Sequence, residues 1–325
     1  MISDIVQALA EEKKAEVVET QMSWVMVGKK YTYKVKKPVD LGYLDYTTLE
    51  RREFFCHREV ELNRRLCPEV YLGVIPITRE EGKFYLDGKG RVAEYAVKMK
   101  SLPQEKMLDV LLTQDRVTPD MIDRVAQKVA YFHEHSSVSD TIRSFGGLEV
   151  IRHNTQENFL QTQKYIGVSI SEHQYRKIKE WTEGFIEQNV PLFERRVRQE
   201  RIKDGHGDLH AAHVCFDQEI VIFDCIEFND RFRYGDVASE IAFLAMDLDH
   251  FGKPSLASQF VSSYQELTLD HDLSSILNFY RCYRAYVRGK VHSFRLDDAS
   301  LPPEDRDRIK AEAKGYFSLA LSYVG

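Results

Sequence analysis

Asp204-Gly-His-Gly-Asp-Leu-His-Ala-Ala-His213, followed shortly by Val221-Ile-Phe-Asp224, is the stretch on which the reading of this chain turns. Glycines flank His206 and precede Asp208, so a permissive loop can hold that carboxylate toward a substrate. Residues 213–216 and 220–224 read as two short strands joined by Asp217-Gln218-Glu219. The second strand is apolar until it ends on Asp224, a charge placed where the strand runs out of cover. Two carboxylates near one another at a loop mouth repel each other unless a cation or a proton lies between them. Mg²⁺ favours such oxygen ligands and usually keeps waters and substrate phosphates as well. Each aspartate alone reads as a turn cap; the combined segment reads as a site.

Upstream the chain is rich in strands. Residues 20–27 and Tyr31–Lys36 form β-like runs around Gly28-Lys29-Lys30, a spacing suited to a tight hairpin. Alternation puts Tyr31, Tyr33 and Val35 on one face and Lys34 and Lys36 on the other. A helix follows over 48–66, with Thr47 or Thr48 as N-cap and Pro68 beyond its end. Phe55, Leu62 and Leu66 mark its buried stripe; Glu59 falls inside the stripe and Glu61 points away. A glutamate there is costly without a cation, which suggests a pair with Lys34 or Lys36. Further strands are expected at 70–78, 84–86 and 92–99.

Beyond Pro103 the pattern turns helical, over 107–112, Pro119–His135, 172–197, 237–248, 256–267, 274–296 and 303–323. A length of 325 residues, 43% hydrophobic, exceeds what one core usually serves. Two lobes are expected, 1–102 and 103–325. The net charge of -6 gives no broad pull toward nucleic acid or an anionic membrane. Five widely spaced cysteines without a C-x-x-C pair read as reduced thiols. Residues 1–19 lack the apolar core of a signal peptide and no window has membrane length, so the expected compartment is the cytosol.

In this order the motifs resemble the aminoglycoside phosphotransferase and choline kinase superfamily, relatives of protein kinases whose catalytic loop reads H-G-D-x-x-x-x-N. Ser23-Trp-Val25, Tyr33-Lys-Val-Lys-Lys-Pro38, Leu62-Asn-Arg-Arg-Leu66, Tyr71-Leu-Gly-Val74 and Phe228-Asn-Asp-Arg231 resemble an uncharacterised bacterial branch of it. The resemblance implies an α+β, two-lobed protein-kinase-like fold: a small antiparallel-sheet N-lobe with one helix, and a larger, mainly helical C-lobe. It implies transfer of phosphate from ATP, with Mg²⁺ or Mn²⁺, to a hydroxyl of a small molecule. Asp208 becomes the catalytic-loop aspartate, beside His206, and Asp224 the metal-binding aspartate. Lys36, or Lys34 if the register differs, becomes the phosphate lysine and Glu59 its helix partner. Met99, Lys100, Ser101 and Leu102 become the hinge whose backbone meets adenine. Asp236 becomes a helix cap and loop brace.

The sequence departs at the second metal position, where the expected asparagine is His213, a softer ligand that suits Mg²⁺ poorly. His213 can instead hydrogen-bond a phosphate or bind a different divalent ion. Two rival readings stand beside the kinase: a metal-dependent hydrolase using His206, His210, His213 and Asp208, and a catalytically silent nucleotide-binding protein. Glu227, Asp230 and Arg231 are expected either to line a polar acceptor pocket or to stabilise their own loop. Arg281, Arg284, Arg288 and Arg295 recur at helical spacing and read as a solvated basic stripe, or, facing a site, as pointing to an acidic or phosphorylated acceptor. Tyr280, Tyr283 and Tyr286 read as packing.

Overall fold

The computed structural model describes residues 2–299 and 301–325; Met1, the first residue of the expected N-terminal lobe, and Ser300 lie outside them. The chain opens with α1 (Ile2–Lys13), β1 (Glu16–Glu19), β2 (Ser23–Val27), β3 (Tyr31–Lys36) and α2 (Leu49–Asn63). Then come β4 (Tyr71–Glu80), β5 (Lys83–Leu86), β6 (Arg91–Lys100), α3 (Leu108–Thr113), α4 (Pro119–His135), α5 (Asp140–Ser144) and α6 (Leu148–Thr162). Next are α7 (Glu172–Gln188), α8 (Val190–Arg198), β7 (Ile202–Asp204), β8 (Val214–Phe216), β9 (Ile220–Ile222), α9 (Asp230–Arg233) and β10 (Tyr234–Asp236). Four helices finish it: α10 (Val237–His250), α11 (Pro254–Thr268), α12 (Leu273–Arg295) and α13 (Pro303–Ser322).

These elements gather into two compact units, one holding residues through Leu111 together with Ala212–Arg233, the other Leu112–Ala211 with Tyr234–Gly325. The first is built on an antiparallel sheet in the order β1-β2-β3-β6-β4-β5, with the β8-β9 hairpin beside it. Trp24 pairs with Val35 and Met26 with Tyr33, so the expected hairpin is present. It closes through the Gly28 N–H, which donates to the Tyr31 carbonyl at 3.1 Å. Because side chains alternate, Val35 enters the core under α1, with Val6, Leu9, Met26, Ile77 and Ala96. Lys34 and Lys36 take the opposite face, toward α2. On that side Cys56 and Val60 pack with Tyr71, Val97 and Met99, and with Cys215 and Val221 of the hairpin.

Thr48 is the N-cap of α2, accepting the Arg51 N–H. The buried line of the helix runs through Cys56, Glu59, Val60 and Asn63, while Phe55 is only half buried. Phe55 sits at the rim instead, against the rings of Tyr46 and Phe54. The helix expected over 172–197 is two, broken at Asn189, with Pro191 in the first turn of α8 where its missing N–H removes no bond.

In the second unit α10 is the core element, buried at every residue from Val237 to Leu248. It packs against α11 and α12, and α12 against α13. Short β7 pairs antiparallel with β10 and delivers the chain to the loop after Asp204. All five cysteines are buried thiols. Among the described residues no helix is long and apolar enough to cross a membrane.

Candidate functional site

In the first unit the two lysines of β3 meet one glutamate of α2. Glu59 Oε2 is 2.7 Å from Lys36 Nζ and its Oε1 is 3.0 Å from Lys34 Nζ. Lys36 also donates a very short bond to Glu227, and the Tyr46 hydroxyl donates to the same Glu227 oxygen at 2.5 Å. Lys36 and Glu59 are wholly buried, and charges persist in such a place only when paired. Burial works against the Lys34 ammonium, but Asp224 and Glu59 outweigh it and hold its pKa above the usual value. Lys36 is held charged in the same way by Glu227 and Glu59. For Glu227 burial pushes upward, and Lys36 and Lys34 bring it below the ordinary carboxylate value.

Lys34 is the member that looks outward. Its Nζ lies 2.5 Å from Asp224 Oδ1, and the Asp224 side chain is 37% exposed. Asp224 has φ of 63°, a left-handed conformation that costs a non-glycine residue about 1–2 kcal/mol. Neighbours impose it: the Asp224 N–H donates to Tyr71 Oη at 3.2 Å, and the Cys225 N–H donates to Asn63 Oδ1 at 2.9 Å. Asn63 is fixed in turn by donating to the Glu59 carbonyl at 2.9 Å. The cluster that holds the lysines thus also fixes the backbone at Asp224.

Three carboxylates, Glu59, Glu227 and Asp224, face two ammonium groups, Lys34 and Lys36, so one negative charge is left at the partly open Asp224 edge. A hard divalent ion that needs one or two carboxylates and completes its shell with water and phosphate oxygens fits that donor set. His213 Nε2 is 3.6 Å from Asp224 Oδ2 and adds a soft imidazole that does little for Mg²⁺.

Met99 and Lys100 close β6, and Ser101 follows directly. The Lys100 N–H donates to the Val70 carbonyl at 2.9 Å and the Ser101 N–H to the Lys30 carbonyl at 3.1 Å. Ser101 Oγ bonds the Gly28 carbonyl at 2.6 Å and lies 2.9 Å from Thr32 Oγ1.

In the second unit the loop after β7 is held from α10. Glu240 Oε1 accepts the N–H groups of His206 and Gly207, each at 2.5 Å. Seven residues along the same helix, Asp247 Oδ2 accepts the Ala211 N–H at 2.8 Å. Two carboxylates on one face of a buried helix thereby grip both ends of the loop that carries Asp208. A Cβ at Gly205 would lie 2.4 Å from Glu240 Oε1, so that carboxylate reaches the loop only because residue 205 has none. Gly207 has φ of 88°, open to glycine without strain.

Glu240 is anchored from below by His133 Nε2 at 2.8 Å, and the other nitrogen of that ring lies 2.8 Å from Tyr264 Oη. Burial pushes Glu240 upward, but the His133 hydrogen bond and charge, with the Gly207 N–H, bring it down to about 2. His206 is buried, and its Nδ1 accepts the Asp208 N–H at 3.3 Å. His210 Nε2 is 3.5 Å from Asp208 Oδ2. From α12, Arg284 donates to the Gly207 carbonyl at 3.1 Å. Asp236 is the N-cap of α10, accepting the Ala238 N–H at 2.9 Å, and it pairs with buried Arg196 at 2.6 Å.

The structure brings Lys34, Lys36, Glu59 and Asp224 into one cluster, with His213 beside Asp224. Two expectations change. Glu227 lines no polar pocket: it is buried under Lys36 and Tyr46, because a second carboxylate is needed there to balance two lysines. The arginines of α12 are not a solvated stripe: Arg281, Arg284 and Arg288 are partly buried, turned toward the helices packed on α12, and Arg295 alone of the four is exposed. Tyr280 and Tyr286 are core residues, as expected. Glu240 and Asp247 were not singled out from sequence. The signal was there, two acids seven apart inside the apolar run 237–248.

The combination of a curled antiparallel sheet unit, a lysine–glutamate pair between strand and helix, and a mainly helical second unit defines a protein-kinase-like fold. Solved structures match it, two of them as follows. A Plasmodium vivax ethanolamine kinase aligns with TM-score 0.52 and 10% identity, over 94% of this chain and 81% of that one. A choline/ethanolamine kinase family protein from Mesorhizobium loti aligns with TM-score 0.50 and 10% identity, over 95% and 92%. At that identity the likeness is one of fold.

Among curated proteins, uncharacterised proteins of Mycobacterium tuberculosis and Mycobacterium bovis are 31% identical over 303 residues, 93% of this chain and 59% of theirs. The chain thus spans about three-fifths of the length of the curated relatives it matches. No protein-family model matches it.

Two measurements check this geometry. Lys36→Met leaves Glu59 and Glu227 buried without their shared cation, and urea unfolding should report a loss of about 3–5 kcal/mol; an unchanged midpoint would mean the cluster does not hold the unit. Glu240→Gln tests the loop anchor through pH. The Glu240 carboxyl is lowered from 4.5 to about 2, so its contribution is full above 4.5 and lost as pH falls toward 2. The melting-temperature gap between wild type and Glu240→Gln should therefore narrow across that window, and a constant gap would contradict the assignment.

Proposed function

We propose that this chain is an ATP- and Mg²⁺-dependent phosphotransferase acting on a hydroxyl of a small molecule. The observation that carries the reading is the pair of Lys34 and Asp224, 2.5 Å apart, anchored through Glu59 to a second, fully buried lysine. A lysine tied to a helix glutamate and facing a carboxylate with an open side is what binding of a metal–triphosphate requires. The protein-kinase-like fold supports the same reading, and two of the matching structures bear the names of small-alcohol kinases.

In this reading residues 1–102 handle the nucleotide, and residues 103–325 supply the catalytic loop, the metal ligand and the acceptor-binding helices. Lys34 is the phosphate lysine. Lys36, buried and shared between Glu59 and Glu227, is its anchor. Asp224 holds the divalent ion, Mg²⁺ or in its place Mn²⁺, which when bound neutralises charge on the phosphates. His213, whose Nε2 lies 3.6 Å from Asp224 Oδ2, would donate a hydrogen bond to a phosphate rather than complete a second Mg²⁺ site. Because the N–H groups of Lys100 and Ser101 are engaged within the unit, adenine recognition falls to the remaining backbone groups of 99–102.

Asp208 orients the acceptor hydroxyl and takes its proton as the phosphoryl group leaves ATP for that oxygen and ADP departs. His206 acts through the loop, fixing the Asp208 amide. Glu240 and Asp247 set the loop before substrate arrives, which keeps the cost of ordering out of the reaction step.

With purified protein, MgATP and a panel of hydroxylated metabolites, Asp208→Asn should lower phosphoryl transfer about 10²–10⁴-fold while leaving ATP affinity unchanged. Lys34→Met should weaken MgATP binding without the loss of stability expected of Lys36→Met. Turnover unchanged in Asp208→Asn would remove that residue from the role, and equal MgATP affinity in Lys34→Met would pass the phosphate contact to another group.

A further inference from the structure

On α12, one helical turn separates Arg284, which grips the Gly207 carbonyl, from Arg288. Arg284 is engaged: Nη1 serves the loop, Nε donates to Ser239 Oγ at 2.9 Å, and the guanidinium lies 4.7 Å from the centroid of the Phe243 ring. Arg288 is different. Its guanidinium lies 5.4 Å from the Tyr316 ring centroid, and its Nε is buried without a hydrogen-bond partner. Asp208 and Asp247 favour its charge, yet among the described residues its Nε has no acceptor. Arginine cannot shed its proton in a protein, so a partly buried, incompletely satisfied guanidinium is a standing cost unless an anion completes it.

The acids of α10 around the same loop are already committed. Glu240 takes two backbone N–H groups and His133. Asp247 takes the Ala211 N–H and lies 3.5 Å from Tyr316 Oη. Asp249 accepts the Tyr323 hydroxyl at 2.6 Å. An acceptor with an ammonium group would find these α10 carboxylates engaged, whereas one with an anion would find a guanidinium. The rings beside Arg288 add no positive charge near neutral pH: burial and Arg288 itself push His292 down to about 4, and burial lowers His250, which stacks on Tyr316 at 4.0 Å.

We propose that Arg288 recognises an anionic group, carboxylate or phosphate, on the acceptor, so that the hydroxyl presented to Asp208 belongs to an acidic small molecule. The inference rests on the phosphotransferase reading for what happens to that hydroxyl, though not for the binding of the anion. Arg288 is a specificity residue for the acceptor, set one turn beyond the arginine that holds the loop. Its pKa is raised above the usual value, with burial opposing and Tyr316, Asp208 and Asp247 favouring, so it is charged throughout the working pH range.

The test is calorimetric titration, in the presence of MgADP, of wild type, Arg288→Gln and Arg288→Lys with hydroxy acids (glycerate, gluconate), phosphorylated alcohols (glycerol 3-phosphate, glucose 6-phosphate) and amino alcohols (ethanolamine, choline). Binding of at least one acid or phosphate is expected, weakened about tenfold or more in Arg288→Gln and partly restored in Arg288→Lys, with MgADP affinity equal in all three. Which class binds separates a carboxylate site from a phosphate site.

Preference for amino alcohols, acid binding that is the same in Arg288→Gln, or no binding by any acid or phosphate would each overturn the inference. MgADP affinity and circular dichroism report whether the variants fold. If MgADP fails to bind while an acid binds through Arg288, the anion site stands and the phosphotransferase reading falls.

Discussion

One glutamate holding two lysines is the constraint from which the first unit is organised. Successive same-face residues of a strand are about 6.6 Å apart, and Glu59 bridges that gap because its two oxygens take one ammonium each. Lys36 cannot be neutralised without stranding buried Glu227, whereas loss of Lys34 leaves Glu59 paired with Lys36. The arrangement ties α2 to the sheet by charge as well as by the packing of Cys56 and Val60. It also leaves the two lysines in different surroundings: Lys36 is walled in by Glu227 and Tyr46, and Lys34 faces Asp224.

The same cluster reaches the backbone at Asp224. Asn63, one turn after Glu59, donates to the Glu59 carbonyl and accepts the Cys225 N–H, and Tyr71 accepts the N–H of Asp224. The left-handed conformation of Asp224 is therefore imposed by Asn63 of α2 and Tyr71 of β4. In the second unit α10 does the corresponding work, with Glu240 and Asp247 fixing the loop around Asp208 and His133 and Tyr264 supporting Glu240. Asp224 and the loop around Asp208 are thus each held by hydrogen bonds inside their own unit.

Much of this was legible in the residues. The alternation of Tyr31–Lys36 put both lysines on one face, the apolar stripe put Glu59 inward, and the glycines around His206 marked the loop. Which lysine faces Asp224 was not legible, because that depends on Glu227, a residue distant in sequence that claims Lys36. The helical spacing of Arg281, Arg284 and Arg288 was plain, but their burial depends on how α10 and α13 cover α12. α6 escaped notice because its polar sequence carries little stripe, and the break between α7 and α8 because periodicity continues across Asn189. Glu240 and Asp247 were visible as acids in an apolar run, and a question about their partners would have led to the loop.

The most direct test of the account is the melting temperature of the purified chain with and without MgATP, in wild type and in Asp224→Ala. A ligand that binds only the folded state must raise it. The account predicts a rise with MgATP in wild type, none with Mg²⁺ or Zn²⁺ alone, and loss of the MgATP effect in Asp224→Ala. The same rise in Asp224→Ala, or no rise in wild type, would contradict it.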